Sequence, residues 1–510
     1  MKADLCLYNA DVLTLDRRRP RAQLVAVAGG RIIRVGANEE RSEYSAPQID
    51  CEGKALVPGF IDAHCHLFAL ASSLLSVDCS PQAVGSIADI VRTIAAQARA
   101  AAPGTWIRAT GYNEFYLAEG RHPTRWDLDE AAPHNPVRLA HRSGHASVLN
   151  SMALSLVGIS MESAEPPGGM IERDLESGEP NGILYEMNHY IDGLVPPLSS
   201  DELEGGIRQA NERLVSVGVT SLQDATVHSG PGEWEGVQGL KARGLLAPRI
   251  SMMMDARALD ELRRQGFHPR RGDDDIRLGA LKVVLDETTG ALFPGQEELC
   301  ALVLAAHRAG YQLAIHAVEE RAVAAAGTAL EGALAQAPRA GHRHRVEHCS
   351  VCPPPLLERL KRIHAVVVTN PSFIYFSGER YLKTVPPEQL PWLYRIGSFL
   401  RSGLVPAAGS DCPVAPVDPL KGIYAATTRR AASGDEVLPH ERISPLEALR
   451  MHTQSAAYAL FEEGGRGTIR EGLLADLALL SADPTAVPSE ALTDIRVEMT
   501  ICGGSVAWRA

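Results

Sequence analysis

The stretch LVPGFIDAHCH, at residues 56–66, decides the interpretation of the whole chain. It contains an apolar run that follows a Pro-Gly turn and ends in His-x-His. Side chains of a β-strand point alternately to its two faces, so His64 and His66 would share one face and Cys65 would take the other. Two imidazoles on one face at a strand end form two arms of a metal site. A pair of polar residues at a strand terminus is the alternative, and the rest of the chain decides between them.

Further apolar strand candidates follow along the chain, and each leads into a helical stretch or a loop before one. With the opening stretch they make eight units, which predicts an α/β fold: a parallel sheet closed into a (β/α)8 barrel of the TIM type. Residues 67–217 are too many for one crossover and predict an insertion, with strand-like pieces at 106–110 and 137–139. The later strand candidates are residues 218–224, 249–255, 276–286, 311–317, 345–349, 365–370 and 404–411.

Both ends of the chain have the pattern of short strands joined by tight turns. Neither end could make a stable sheet alone. We therefore predict that residues 1–56 and 467–510 pair into one accessory β-sandwich domain, and that residues 57–466 form the barrel domain with its insertion subdomain. The strand candidates at the ends are residues 5–15, 24–35, 476–480 and 497–508, with turns at Gly29-Gly30 and Gly503-Gly504.

The composition excludes several classes of protein. A net charge of -12 over 510 residues argues against nucleic acid or an anionic membrane as the main partner. The sequence contains no run of about 18 uncharged apolar residues, so we predict no membrane span. The first residues lack the apolar region of a signal peptide. The 9 cysteines are scattered and do not resemble a disulfide framework. We expect a cytoplasmic enzyme with a small-molecule substrate; its oligomeric state stays open, a homo-oligomer included.

Metal-ligating residue types recur at the carboxyl ends of the predicted strands, where barrels of this kind build their active sites. Randomly placed histidines would fall mostly in helices and loops. The regular placement therefore predicts a metal site. Its members are His64 and His66 at the end of strand one, Lys282 late in strand four, His316 and His348 at the ends of strands five and six, and Asp411 at the end of strand eight.

The same motifs resemble the amidohydrolase superfamily. PGFIDAHCH at residues 58–66, HRVEH at 344–348 and GSDCPV at 409–414 carry this resemblance. Within the superfamily the chain is similar to the group called amidohydrolase 3, which includes N-substituted formamide deformylases. SGHASVLNS at 143–151 and GLLADLALL at 472–480 extend the similarity to nearly the full length.

The resemblance implies a centre of two zinc ions. In the superfamily, the strand-one histidines and the strand-eight aspartate hold one ion, and the histidines of strands five and six hold the second. A carboxylated lysine on strand four bridges them. A carbamate offers two oxygen donors, whereas an unmodified ammonium repels a metal. An ordinary lysine paired with Asp286 or Glu287 is the alternative for Lys282. The residues concerned here are His64, His66, Asp411, His316, His348 and Lys282.

A centre with one zinc is the competing hypothesis. His316 and Glu319 have the His-x-x-Glu spacing of the cytosine and adenosine deaminase branch, in which the glutamate shuttles protons. His348 would then hydrogen-bond the attacking water. The alternative for Glu319 is an exposed acidic start to the next helix, which the helix dipole favours.

Three residues are predicted to bind substrate. His145 matches a histidine of the family in the insertion, and Asn370 ends strand seven. Asp286 stands with Glu287 where the family usually has Asp-Gly, so its carboxylate would contact a cationic or hydrogen-bond-donating substrate group.

Four residues beside the proposed ligands are predicted to stay outside the site. Cys65 and Cys349 have the opposite strand parity from their histidine neighbours, and free cysteine behaves as a small buried apolar residue. Cys412 is likewise not expected to bind metal. Arg345 has the opposite parity from His348, which predicts a salt bridge outside the pocket.

The predicted chemistry is metal-assisted hydrolysis of a non-peptide carbon–nitrogen bond in an amide, formamide or cyclic amide. A bound zinc lowers the pKa of water from about 15.7 toward about 7. Asp411 would act as general base and then as general acid toward the leaving amine. Deamination of an aminated heterocycle through Glu319 is one alternative. A metal-free binding protein on the same fold is the other.

Overall fold

The computed structural model of the chain describes residues 2–287 and 290–510. The chain divides into two compact units. The first consists of Met1–His66, Asn211–Leu285 and Pro294–Ala510, and the second of Leu67–Ala210 and Asp286–Phe293. Within the described residues no helix has the length and apolar character needed to cross a membrane.

The strands and α-helices have the following bounds. The strands are β1 (Leu5–Tyr8), β2 (Asp11–Leu13), β3 (Arg21–Ala22), β4 (Leu24–Ala28), β5 (Arg31–Gly36), β6 (Gln48–Asp50), β7 (Ala55–Pro58), β8 (Phe60–Cys65), β9 (Val77–Asp78), β10 (Ile107–Tyr112), β11 (Val137–His141), β12 (Ala146–Leu149), β13 (Met170–Arg173), β14 (Pro180–Tyr185), β15 (Val219–Asp224), β16 (Arg249–Asp255), β17 (Ile276–Val284), β18 (Leu313–Ala317), β19 (Arg345–His348), β20 (Val366–Thr369), β21 (Pro406–Ala408), β22 (Leu477–Leu480), β23 (Val497–Cys502) and β24 (Ser505–Arg509). The helices are α1 (Leu67–Leu75), α2 (Ile87–Ala100), α3 (Arg125–Ala131), α4 (Ser151–Leu156), α5 (Asn188–Asp192), α6 (Ser200–Ser216), α7 (Pro231–Ala242), α8 (Leu259–Arg264), α9 (Gln296–Arg308), α10 (Glu320–Gln336), α11 (Pro354–Arg362), α12 (Ser372–Thr384), α13 (Ile396–Arg401), α14 (Pro419–Thr428), α15 (Pro445–Met451) and α16 (Gln454–Ala459).

The first unit contains an eight-stranded parallel sheet in the order β21-β20-β19-β18-β17-β16-β15-β8. Backbone hydrogen bonds join the two edge strands, β8 and β21, at their carboxyl ends. The Asp411 N–H donates to the His64 carbonyl at 2.7 Å, and the His66 N–H donates to the Cys412 carbonyl at 2.9 Å. Glycine at position 409 permits this approach, because a Cβ there would lie 2.6 Å from the Cβ of His64. The predicted TIM-type barrel is confirmed.

Strand β8 shows how the sequence pattern sets the two faces of the barrel. Ile61 and Ala63 pack outward against Ala456 and Ala457 of α16. His64 directly follows Ala63 and points to the other face, as period-two alternation requires. All six residues of β8 are buried, as expected for a strand covered on both sides.

The chain ends form two further sheets of the first unit, in the orders β5-β4-β1-β6 and β24-β23-β22-β7-β2-β3. Strands β7 and β22 are antiparallel neighbours, with Leu56 opposite Leu479, so residues from both ends share one sheet. Leu7 and Val25 of the first sheet belong to the same buried cluster as Leu56 and Leu479 of the second. The predicted β-sandwich built from both termini is confirmed.

The second unit contains a mixed sheet in the order β13-β14-β12-β11-β10-β9. Strands β10 and β11 are parallel, whereas β11 and β12 are antiparallel. The strand-like pieces predicted at 106–110 and 137–139 correspond to β10 and β11. Ile90 and Ile94 of α2 share a buried cluster with Leu139 of β11.

Three buried histidines at the amino-terminal end of β18 and β19 are held in the neutral form. The Nδ1 of His342 accepts from the backbone N–H of His344 at 2.9 Å, and its Nε2 donates to the Ile363 carbonyl at 2.9 Å. The Nδ1 of His307 lies 2.8 Å from the Nε2 of His344. Burial lowers the pKa of His342 to about 4 and that of His344 well below its ordinary value. A proton on Nδ1 of His342 would face the backbone N–H of His344, so two donors would oppose each other and this hydrogen bond would be lost.

We expect acid to destabilise the protein through this cluster. Because the folded-state pKa of His342 lies below its unfolded value, its stabilisation is complete above about pH 6.5 and declines as the pH falls toward 4. The expected loss is about 3 kcal/mol, since one pKa unit corresponds to about 1.4 kcal/mol. Thermal midpoints at a series of pH values for the wild type and H342Q measure it. The H342Q curve should be flatter in this window, and parallel curves would contradict the assignment.

Candidate metal centre

Four of the predicted ligands meet at the carboxyl ends of β8, β17 and β21. The Nε2 of His66 lies 3.1 Å from Oδ1 of Asp411, and the Nε2 of His64 lies 3.5 Å from the same oxygen. The Nζ of Lys282 lies 3.4 Å from the Nε2 of His64. His64, Lys282 and Asp411 are buried, and His66 is partly exposed. Residues 218 positions apart are thus brought together as the barrel places its strand ends on one rim.

His316 and His348 come from the adjacent strands β18 and β19. The centroids of their rings are 4.5 Å apart, and the ring of His348 lies 4.8 Å from that of His64. His348 has a φ of 63°, in the left-handed region, and Asp411 has a φ of 59°. Such angles are costly for residues with a Cβ and tend to occur where function requires a particular side-chain direction.

Two acceptors orient the rings of His64 and His348. Oε2 of Glu347 lies 2.5 Å from Nδ1 of His64, and Oδ1 of Asn370 lies 2.7 Å from Nδ1 of His348. The amide of Asn370 also donates to the Gly409 carbonyl at 3.0 Å. Each ring therefore carries its proton on Nδ1 and turns the Nε2 lone pair toward the cluster, as metal-binding histidines do.

The donor set fits a divalent cation. One ligand atom each from His64, His348 and Asp411 lies within 4.8 Å of the other two, and all three residues are buried. The Nε2 of His348 is buried without a hydrogen-bond partner, which costs about 1–3 kcal/mol unless another partner is present. Burial lowers the pKa of both His64 and His348, and the positive charge of Lys282 adds to the effect. Neutral imidazoles and a carboxylate are ligands that zinc accepts.

The neighbouring groups keep Asp411 ionised, and burial weakens the basicity of Lys282. Burial alone would raise the pKa of the Asp411 carboxyl, but the hydrogen bond from His66, and the positive charge that the neighbouring histidines carry when protonated, lower it below its ordinary value. Burial lowers the pKa of Lys282 to about 8, against the opposing effect of the Glu347 and Asp411 carboxylates.

The sequence model of the amidohydrolase family matches residues 48–507 of this chain. The chain belongs to the amidohydrolase family. It is 31% identical to N-substituted formamide deformylase of Arthrobacter pascens over 98% of this chain and 97% of that protein. It is 26% identical to the putative amidohydrolase YtcJ of Bacillus subtilis over 98% of each chain. The resemblance stated from the motifs is confirmed, and the chain is a metal-dependent hydrolase of this family.

Solved structures agree with this fold. A metal-dependent hydrolase of Pyrococcus horikoshii has a TM-score of 0.76 at 22% identity, covering 95% of this chain and 99% of that one. A metal-dependent hydrolase of Pyrococcus furiosus has a TM-score of 0.72 at 25% identity, covering 94% of this chain and 99% of that one.

The predicted place of Arg345 outside the pocket is wrong. Arg345 does form a salt bridge, with Oε1 of Glu347 at 2.7 Å, but both side chains are fully buried and Glu347 reaches His64 across the barrel. Strand alternation placed Arg345 on the wrong face because His348 leaves the extended conformation. Glu347 and His348 therefore contribute to the same site. The sequence signal for Glu347 was its place between Arg345 and His348 in HRVEH, and strand alternation concealed it.

Cys65 and Cys412 form a separate buried group with Asp62, whose ligand atoms lie within 4.8 Å of one another. Asp62 accepts hydrogen bonds from Ser410 N–H at 2.9 Å, from Ser410 O–H at 2.5 Å and from His64 N–H at 3.2 Å. Contact with the thiol of Cys412, together with burial, raises the pKa of Cys65 well above its ordinary value. The protonated thiol is thus favoured. That these cysteines do not bind metal stays a prediction.

The residues predicted to bind substrate have the following surroundings. His145, in the second unit, places Nδ1 2.7 Å from Oε1 of Glu186. Asp286, in the same unit, exchanges backbone hydrogen bonds of 2.9 Å with Phe293. Asn370 uses its amide to orient His348. Their contacts with substrate stay predictions. Glu319 is exposed and immediately precedes α10, as expected for the acidic start of a helix.

Proposed function

We propose that this enzyme hydrolyses a non-peptide carbon–nitrogen bond of a small amide, formamide or cyclic amide. The observation that carries the proposal is the convergence of His64, His348 and Asp411, with a buried and unpartnered Nε2 on His348. The 31% identity to N-substituted formamide deformylase over nearly the whole chain supports the class of bond.

The metal centre is proposed to contain two zinc ions. His64, His66 and Asp411 would hold the first, and His316 and His348 the second, with carboxylated Lys282 between them. The buried amine of Lys282 supports the modification, because a pKa of about 8 leaves a larger neutral fraction than an ordinary lysine has. When bound, zinc lowers the pKa of a water molecule toward about 7 and polarises a carbonyl oxygen.

Asp411 is the proposed general base and acid. Its carboxylate is ionised at neutral pH and lies at the rim where the strand ends meet. It accepts a proton from the attacking water and passes it to the leaving nitrogen, which departs as an amine. The backbone bond from the Asp411 N–H to the His64 carbonyl fixes the residue relative to the other ligands.

Substrate recognition is assigned to residues beyond the ligands. We propose that His145 and Asp286 contact the substrate, together with Asn370 at the end of β20. The imidazole of His145 is held by Glu186 through Nδ1, which supports a fixed orientation for its contact.

All 9 cysteines are free thiols, which favours a reducing compartment such as the cytoplasm.

Metal removal tests the proposed function. Purified enzyme is analysed for zinc, treated with a chelator, reconstituted, and screened with N-formyl amines, N-acyl amines and cyclic amides. We expect about two zinc ions per chain if a lysine carbamate bridges them, loss of hydrolysis in the apo-enzyme, and recovery on adding zinc. Full hydrolysis by metal-free enzyme would contradict the proposal. One zinc per chain with ammonia release from an aminated heterocycle would favour the deaminase alternative.

A further inference from the structure

A chain of buried polar side chains crosses the barrel interior beside the metal centre. It runs from Gln223 on β15 through Arg345 and Glu347 on β19 to His64 on β8. The Nε of Arg345 donates to Oε1 of Glu347 at 2.7 Å, and its Nη2 donates to Oε2 of Glu347 at 2.8 Å. The same Oε2 accepts from Nδ1 of His64 at 2.5 Å. This set of four side chains is called the barrel relay below.

The barrel relay is anchored at its far end by a close fit. The Nη1 of Arg345 donates to Oε1 of Gln223, and its Nη2 donates to the Ala63 carbonyl at 2.9 Å. A Cβ at Gly279 would lie 2.2 Å from the Nε2 of Gln223. Glycine at this position of β17 therefore leaves the space that the Gln223 amide occupies, and the guanidinium is held from three strands.

The buried pair of Arg345 and Glu347 supplies a fixed geometry more than it supplies stability. Arg345 and Glu347 have no exposed side-chain surface. A buried ion pair stabilises a fold little compared with apolar residues of the same volume. An arrangement with two hydrogen bonds between guanidinium and carboxylate has a fixed geometry, however. The carboxylate oxygen that contacts His64 is therefore fixed in position.

We propose that Glu347 is a positioning residue for the metal centre: it fixes the proton of His64 on Nδ1, turns the Nε2 lone pair to the metal and strengthens it as a donor, while Arg345 and Gln223 hold Glu347 in place. The proposal rests on the proposed function only in requiring that His64 binds a metal. Outer partners of metal-binding histidines typically change metal affinity by about 10–100-fold.

Three variants separate this role from a structural one. E347Q keeps an acceptor for His64 but removes the charge, and it leaves Arg345 buried without its anion. R345M/E347Q removes both charges and so avoids an unpaired buried ion. R466M/E462Q is the matched control, because Arg466 and Glu462 form another buried pair, with Nε and Oε2 3.3 Å apart.

The readouts are the zinc dissociation constant of the apo-protein, from competition with a chromophoric chelator, and the absorption spectrum of the cobalt-substituted protein. R345M/E347Q is expected to bind the zinc that His64 holds about 10–100-fold less tightly and to shift the cobalt bands. E347Q, where it folds, should do the same. R466M/E462Q is expected to lower the thermal midpoint while leaving zinc affinity and cobalt bands as in the wild type.

Two outcomes would overturn the proposal. The first is a folded R345M/E347Q protein with wild-type zinc affinity and wild-type cobalt bands. The second is an equal loss of affinity in R466M/E462Q, which would assign the effect to general loosening of the fold. A wild-type protein that binds no zinc would instead reject the proposed function, so the two failures are distinguishable.

Discussion

Asp411→Asn is expected to leave the barrel folded and to lower kcat by about 10²–10⁴-fold, the usual contribution of a general acid–base group. The carboxamide has nearly the shape of the carboxylate, and the backbone bond from residue 411 to the His64 carbonyl is unaffected. The asparagine side chain cannot take up the proton of the attacking water, and the substitution removes a negative charge beside His64 and His66. Steady-state kinetics on the substrate found in the amide screen measures the loss.

Zinc analysis of the same variant distinguishes two causes of the loss. Retained zinc with a low kcat assigns Asp411 to proton transfer, whereas lost zinc assigns it to metal binding alone. Asp483→Asn is the control, since Asp483 is a buried aspartate of the terminal segment that pairs with Arg21 at 2.6 Å. It should have wild-type kcat. Activity of Asp411→Asn within a few-fold of the wild type would contradict both roles.

The barrel was predictable because its strands are short apolar runs, each followed by a helical stretch or by a loop that leads to one. The run predicted at 365–370 is observed as Val366–Thr369, and the run at 249–255 as Arg249–Asp255. Strands buried on both faces need nearly continuous apolar sequence, and few other elements do. The strand predicted at 404–411 is only Pro406–Ala408, because Gly409 makes the close approach to His64 and Asp411 leaves the extended region.

Alternation along a strand predicted the direction of His64 and misplaced Arg345. The rule holds while the backbone stays extended, as it does through β8. His348 and Cys349 have φ values of 63° and 50°, and nothing in those residue types announces a left-handed conformation. The left-handed angle lets His348 join the site that Glu347 already faces, so the contact between His348 and Asn370 could not be read from spacing.

The insertion was predicted only in part for a different reason. Strands β10 and β11 contain apolar runs, whereas β13 and β14 contain polar residues and a glycine, with sequences MIER and PNGILY. Their pairing is set by the neighbours that each strand meets in the folded sheet. A single sequence contains no direct record of those long-range pairs.

Lys282→Met is expected to reduce bound zinc from the proposed two ions per chain to one or fewer and to abolish most hydrolysis. Lys282 is buried and lies 3.4 Å from the Nε2 of His64. With a pKa of about 8, its neutral fraction near pH 7 is roughly 200–300-fold larger than that of an exposed lysine. The neutral amine is the form that adds carbon dioxide to give a carbamate with two oxygen donors. Methionine fills the same space and offers a thioether that cannot bridge two cations.

Mass spectrometry and zinc analysis test this assignment without relying on turnover. The wild type should carry the added mass of one carbon dioxide, and apo-protein should take up its second zinc faster when bicarbonate is supplied. Lys241→Met is the control, because Lys241 is another largely buried lysine, and its Nζ donates to the carbonyls of Leu246, Ala247 and Pro248. It should keep both ions and the added mass. Two zinc ions in Lys282→Met would show that the second cation needs no anionic bridge from β17, and would contradict the assignment of Lys282 as a bridging carbamate.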